Sequence, residues 1–163
     1  MDSNGQGIND LILMKGVTCQ RFYCPTLPDA ISLVKRAEVI KAPNKIYIQI
    51  GVNDLEHSPL KDIEQEMDAL TFAINVAFPN AKILVSAVLA RRDLIDKREA
   101  TNQLFEQLCA KYPNVMQFVA QQNLAHPSVL RDSDSKHLHG GGFGRMLSNI
   151  RFALFGLIPS QRR

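Results

Sequence analysis

One stretch decides the fold class: Lys82-Ile83-Leu84-Val85-Ser86-Ala87-Val88, a nearly unbroken apolar run. A strand with one wet face alternates apolar and polar residues, whereas a strand covered on both faces of a parallel sheet is apolar throughout. Upstream, Lys45-Ile46-Tyr47-Ile48-Gln49-Ile50-Gly51 is dense in β-forming residues and closed by glycine, which predicts a second strand. Residues 115–119 predict a short further strand, and residues 17–23, which alternate loosely before Pro25, predict another.

Helical patterns lie between these strands. Ser58 and Pro59 are typical of an N-cap followed by the first helical position, and apolar residues then recur at steps of three and four. Helices are predicted at residues 29–37, 60–78, 96–111 and 143–155. Strands that alternate with helices in this way indicate an α/β fold, a three-layer α/β/α sandwich with a mainly parallel central sheet of the flavodoxin-like kind.

Length and composition limit the class of protein. The 163 residues suffice for one domain with its own core, and no repeat or low-complexity tract divides residues 1–163. The net charge of +3 is scattered apart from Arg162 and Arg163, which gives little support to nucleic-acid or membrane contact. The cysteines lack metal-ligand spacing and indicate free thiols. With no signal peptide and no apolar run of membrane length, we expect a cytoplasmic protein that holds no metal.

A polar loop at residues 131–139 presents His137, with Asp134 three residues before it. A carboxylate at this position can hold the imidazole in one tautomer and stabilise its protonated form, as a general base requires. A histidine in a polar loop, taken without Asp134, is more often a solvated residue than a general base. His139 is a weaker candidate base, because Lys136 occupies the position where its carboxylate would be.

Three glycines follow this loop, Gly140, Gly141 and Gly142. Glycines before a helix can cradle a phosphate, but these lack the lysine and the spacing of a phosphate-binding loop. We therefore expect a flexible hinge into the last helix.

Two more polar groups are candidates, because functional groups gather at the carboxyl ends of parallel strands. Gly51-Val52-Asn53-Asp54 directly follows a predicted strand, although Asn53 and Asp54 are also common turn formers. Met1-Asp2-Ser3-Asn4-Gly5 would form a strand-to-helix turn if a strand preceded it.

Together these groups resemble the SGNH (GDSL-like) hydrolase superfamily, in the right order and over almost the whole chain. Asp2-Ser3 is similar to the Gly-Asp-Ser block that carries the family nucleophile. Gly51-Val52-Asn53-Asp54 fits the Gly-x-Asn-Asp block, and Asp134-Ser135-Lys136-His137-Leu138 fits the Asp-x-x-His block with its following leucine.

The resemblance implies a role for each matching residue. Ser3 would be the nucleophile, His137 its general base and later its acid, and Asp134 the orienting carboxylate. Oxyanion donors would be the Ser3 backbone N–H and the Asn53 side-chain amide. Asp2, Gly51 and Asp54 would support the site.

The chain departs from the family pattern at three places. Met1 stands where the family has glycine, and Cys24-Pro25-Thr26 stands where the family has a glycine that supplies the third oxyanion donor. The Cys24 N–H could replace that donor, but Pro25 has none. The family's first strand, central in its sheet, would lie before residue 1, so either residues are missing from this chain or another segment fills the gap. An unfilled sheet edge would favour pairing with another chain.

The resemblance favours a serine esterase or acetylesterase that acts on a small ester or acylated substrate through an acyl-serine, without a cofactor. Its acyl pocket would come from the loops at residues 55–59, 89–96 and 121–131. Their mix of apolar and basic residues would tolerate an anionic or carbohydrate ester as readily as a lipid; the basic residues are Arg91, Arg92, Arg98 and Arg131. The alternative is a catalytically silent binding or assembly module of the same fold. Asp2-Ser3-Asn4-Gly5 followed by Cys24-Pro25-Thr26 is also similar to esterase-like domains of eukaryotic retroelements, which would place the domain in a longer chain near membranes or nucleic acid.

Overall fold

The computed structural model describes residues 1–5, 8, 17–36 and 42–156. Its centre is a parallel sheet of three strands: β1 (Lys45–Ile48), β2 (Lys82–Ser86) and β3 (Met116–Val119). β2 lies in the middle and pairs in parallel with both neighbours. Ile83, Leu84 and Val85 of β2 are buried, which explains why this strand carries no alternating pattern.

In the described part of the chain five α-helices accompany the sheet: α1 (Leu27–Arg36), α2 (Asp54–His57), α3 (Leu60–Ala77), α4 (Ile95–Lys111) and α5 (Gly140–Phe155). α3 connects β1 to β2, and α4 connects β2 to β3, as parallel pairing requires. α3 packs against α1 and α4, and α5 contacts β1. The predicted α/β fold with a parallel sheet is confirmed.

The predicted strand at residues 17–23 is wrong. This segment belongs to no strand ladder. Among the described residues, two backbone bonds join it to the N-terminal segment: Met1 N donates to Phe22 O, and the Cys24 N–H donates to Met1 O. The N-terminal segment then turns at Ser3–Gly5 and does not continue this pairing. The strand expected before residue 1 lies outside the described residues and stays a prediction.

The predicted hinge at the glycines is also wrong, because α5 begins at Gly140. His139 is its N-cap, and its ring Nδ1 accepts a hydrogen bond from the Gly142 N–H at 3.1 Å. A Cβ at Gly142 would lie 2.6 Å from the Val129 carbonyl oxygen. Glycine at position 142 therefore permits a close approach between α5 and the backbone before the His137 loop.

A smaller correction concerns the start of α3. Pro59 is its N-cap, and Ser58 ends the short helix α2 without capping α3. Within residues 1–5, 8, 17–36 and 42–156, no helix combines the length and the hydrophobicity needed to cross a bilayer. The same part of the chain contains no cluster of three or more His, Cys, Asp or Glu side chains arranged to hold a metal ion.

Candidate active site

The site begins where the chain leaves β1. Gly51 has a φ of +120°, and a Cβ there would lie 2.8 Å from Val88 Cγ2, so only glycine fits this turn. Asn53 and α2 follow at once. The Asp2 N–H donates to Gln49 O at 2.8 Å, which brings the Ser3 turn to the same end of the sheet.

The structure brings three of the predicted residues together. His137 Nε2 lies 3.1 Å from Ser3 Oγ, although these residues are 134 positions apart. On the other side of the ring, His137 Nδ1 lies 3.2 Å from Asp134 Oδ2. Because an ionised carboxylate can only accept, Nδ1 carries the proton and Nε2 is free to accept the Ser3 hydroxyl proton.

The loop itself keeps Asp134 ionised and in place. Its Oδ1 accepts the backbone N–H groups of Lys136 at 2.9 Å and of His137 at 2.6 Å. Partial desolvation would raise the pKa of Asp134, but these hydrogen bonds and the neighbouring His137 ring hold it below its ordinary value. The spacing of three residues matters because it lets one carboxylate bind both the loop backbone and the ring.

Asn4 contributes to this arrangement, and the sequence interpretation gave it no role. Its side chain donates to Lys136 O at 3.1 Å and accepts from the Leu138 N–H at 3.0 Å. The Asn4 side chain therefore binds the residues on both sides of His137, and Asn4 is itself the residue directly after Ser3. Asn4 is buried. An asparagine directly after the candidate nucleophile was visible in the sequence, but its partners lie far along the chain.

The predicted oxyanion donors have different surroundings. Among the described residues, no acceptor is recorded for the Ser3 backbone N–H, so it can donate to a substrate. Asn53 Nδ2 donates one hydrogen to Pro25 O at 2.9 Å and keeps a second one. The expectation for Cys24 is wrong, because its N–H donates to Met1 O at 2.8 Å. Its thiol is buried, and burial raises the thiol pKa, which favours packing over reactivity.

The predicted supporting carboxylates lie beneath the surface. Asp2 Oδ1 accepts the Asn4 N–H at 3.0 Å, which shapes the Ser3 turn, and burial raises the Asp2 pKa to about 6. Asp54 Oδ1 accepts the Leu27 N–H at 3.0 Å at the start of α1. Burial also raises the pKa of Asp54. Both side chains therefore act on the backbone around the site.

Arg91 does not have the exposure that binding an anionic ester would require. Its side chain is only 1% exposed. Its guanidinium donates to Val52 O, to Glu56 and, through two hydrogen bonds, to Asp93. A cavity of about 340 Å³ lies beside it, between the start of α4 and residues 125–127, and its lining includes none of Ser3, His137 and Asp134.

No family model matches the sequence, and no curated protein matches it either. Solved structures do match. A candidate platelet activating factor from Streptococcus pneumonia superposes with a TM-score of 0.77 at 17% identity, over 92% of this chain and 79% of that one.

Two further structures are similar at lower scores. A carbohydrate esterase of family 3 from Talaromyces cellulolyticus matches with a TM-score of 0.62 at 17% identity, over 75% of this chain and 64% of that one. A candidate lipolytic protein of the G-D-S-L family from Desulfitobacterium hafniense matches with a TM-score of 0.63 at 14% identity, over 81% of this chain and 77% of that one. At these identities the likeness concerns the fold, and this chain has the fold of the SGNH (GDSL-like) hydrolases.

Proposed function

We propose that the protein is a serine ester hydrolase that removes an acyl or acetyl group from a small ester through an acyl-serine intermediate. One observation carries the proposal: the continuous hydrogen-bonded chain from Ser3 Oγ through both ring nitrogens of His137 to Asp134 Oδ2. Acyl transfer requires an activated serine, and a serine is activated when its hydroxyl bonds to an imidazole that a carboxylate orients. The fold shared with esterases adds support by analogy only.

The chemistry follows from the positions of these atoms. His137 Nε2 takes the Ser3 hydroxyl proton while Oγ bonds to the ester carbonyl carbon, and the carbonyl oxygen becomes an oxyanion. The Ser3 N–H and the second amide hydrogen of Asn53 are the candidate donors to it. The bond to the alkoxy oxygen then breaks, and His137 returns the proton to the leaving alcohol. Water repeats the sequence on acyl-Ser3, releases the carboxylic acid and restores the serine.

A second candidate function is a binding or assembly module without catalysis. The observation that favours it is the poorer oxyanion site, where the Cys24 N–H is engaged by Met1 O and one Asn53 amide hydrogen by Pro25 O. The similarity to retroelement domains stays a prediction. The basic C-terminal residues of this chain that are compatible with that similarity, Arg162 and Arg163, lie outside the described residues.

Turnover of p-nitrophenyl acetate and butyrate by wild type, Ser3→Ala and His137→Ala separates the two functions. We expect wild-type turnover and a loss of about 10³-fold or more in both variants, because each removes a member of one unit. Wild-type protein should also be labelled at Ser3 by a serine-directed phosphonate. Equal inertness of all three folded proteins, without labelling, would establish the binding module in its place.

A further inference from the structure

Lys136 lies beside the amide that the proposed function assigns to the oxyanion. Its Nζ is 3.2 Å from Asn53 Oδ1, and its side chain is 27% exposed. Lys136 immediately precedes His137, so the backbone segment that carries the base also brings this ammonium group to Asn53.

Two contacts define the orientation of the Asn53 amide. An ammonium group only donates, so the amide atom facing Lys136 must be oxygen; a carbonyl only accepts, so the atom facing Pro25 O must be nitrogen. Rotation of the amide by 180° would place donor against donor and acceptor against acceptor. With one hydrogen of Nδ2 committed to Pro25 O, the position of the second hydrogen is then determined.

The Lys136 ammonium also binds the carboxylate of Glu56. Glu56 Oε1 lies 3.1 Å from Lys136 Nζ and 2.7 Å from Arg91 Nη1. Arg91 is anchored in turn by one hydrogen bond to Val52 O and two to Asp93, so Glu56 binds a guanidinium that is buried and held in place. Because Glu56 belongs to α2, the helix that follows Asn53, these contacts fix the ammonium relative to the amide.

We propose that Lys136 is a positioning residue of the oxyanion site: its ammonium fixes the Asn53 amide so that one Nδ2 hydrogen is directed at the reacting carbonyl oxygen. This inference rests on the proposed esterase function. The charge of Lys136 also polarises the amide through its oxygen, which strengthens the N–H groups as donors. The competing explanation is a surface ion pair between Lys136 and Glu56 that contributes only to stability.

The first test compares steady-state kinetics of wild type, Lys136→Met and Lys136→Arg on p-nitrophenyl acetate. We expect kcat to fall roughly tenfold or more in Lys136→Met with KM within about twofold, since complete loss of one oxyanion donor costs about 10²–10³-fold. Lys136→Arg retains a cationic donor and should recover most of kcat. Lys97→Met is the matched control, because Lys97 Nζ donates to Leu55 O and, in the described part of the chain, does not bond to Asn53; the kcat of this variant should equal that of wild type.

The second test does not depend on turnover. In ¹⁵N-labelled protein the two side-chain amide hydrogens of Asn53, assigned by their loss in Asn53→Asp, should give separate signals, and the hydrogen bonded to Pro25 O should exchange slowly with water. Lys136→Met should speed this exchange and shift both signals, whereas Lys97→Met should leave both signals and the exchange rate unchanged.

The outcomes are distinct. An active wild type with unchanged kcat in Lys136→Met, or with unchanged Asn53 amide signals, overturns the inference and leaves the esterase intact. A wild type that neither hydrolyses esters nor is labelled at Ser3 overturns the proposed function and, with it, the role of Lys136 in catalysis.

Discussion

At the scale of single residues, burial determines the pKa of the Asp2 carboxyl group. Its side chain is fully buried, Oδ2 has no hydrogen-bond partner among the described residues, and desolvation raises its pKa from 3.8 to about 6. Between these two pH values the folded state therefore holds a proton that the unfolded state has lost. The free energy of unfolding should fall as pH rises through this window, and the loss is complete above pH 6.

Asp2→Asn removes this ionisation and keeps an acceptor for the Asn4 N–H. At pH 7 to 8 we expect the variant to be more stable than wild type by up to about 3 kcal/mol, because a shift of one unit corresponds to about 1.4 kcal/mol. Near pH 3.5 the two proteins should be equally stable. Urea denaturation at both pH values measures the difference; a gap that is the same at both would contradict the buried, titrating Asp2.

At the scale of secondary-structure elements, the start of α5 is set by a steric contact. A Cβ at Gly142 would meet the Val129 carbonyl oxygen at 2.6 Å and Leu138 Cβ at 3.3 Å. The first of these contacts is with backbone, which cannot rotate away. The Leu130–Leu138 bridge that closes the His137 loop lies in the same place, so α5 and the loop are packed as one unit.

Gly142→Ala should therefore destabilise the protein by about 1–3 kcal/mol, the usual cost of overpacking. Gly144→Ala is the matched control in the same helix, since a Cβ there meets nothing within 4 Å. The control should be neutral or should stabilise by about 0.5–1 kcal/mol, because alanine is the better helix former. Thermal denaturation of both variants measures this, and equal effects would argue against the contact with Val129.

At the scale of the whole molecule, Asn4 joins two distant parts of the chain. It binds Lys136 O and the Leu138 N–H, and thereby keeps the Ser3 turn against the loop that carries His137. Removing the side chain leaves two backbone groups without partners and loosens the distance between Ser3 Oγ and His137 Nε2. Stability and chemistry should therefore both respond to one substitution.

For Asn4→Ala we expect a loss of about 2–4 kcal/mol in the free energy of unfolding, at about 1–3 kcal/mol for each buried group left unpaired. Ester turnover should fall at least tenfold, since a small displacement of the reacting groups is costly. Asn102→Ala is the matched control, because the Asn102 side chain also binds one backbone N–H and one backbone carbonyl, both of Val88, and neither belongs to the Ser3 turn or the His137 loop. Retention of full activity in Asn4→Ala would remove Asn4 from the positioning of His137.

Local pattern by itself determined most of the fold. The apolar run at β2, the β-forming residues of β1 and the helical periodicity of α3 are read within a few neighbouring residues, and these elements formed as predicted. The pairing of Asp134 with His137 could also be predicted from the sequence, because a carboxylate three residues before a histidine can bind it within one turn. The strand prediction for residues 17–23 was wrong because a strand needs a neighbouring strand to pair with, and the local sequence pattern contains no information about such a partner.

Only the tertiary structure decided which groups meet. The 3.1 Å contact between Ser3 Oγ and His137 Nε2 joins residues 134 positions apart in the sequence. The hydrogen bonds of the Asn4 side chain to Lys136 O and the Leu138 N–H span 132 and 134 positions. The engagement of the Cys24 N–H, the burial of Arg91 and the contact of Lys136 with Asn53 likewise depend on neighbours brought together by the sheet. Hydrogen-bond partners depend on positions in space, and sequence spacing specifies those positions only within a turn or a strand.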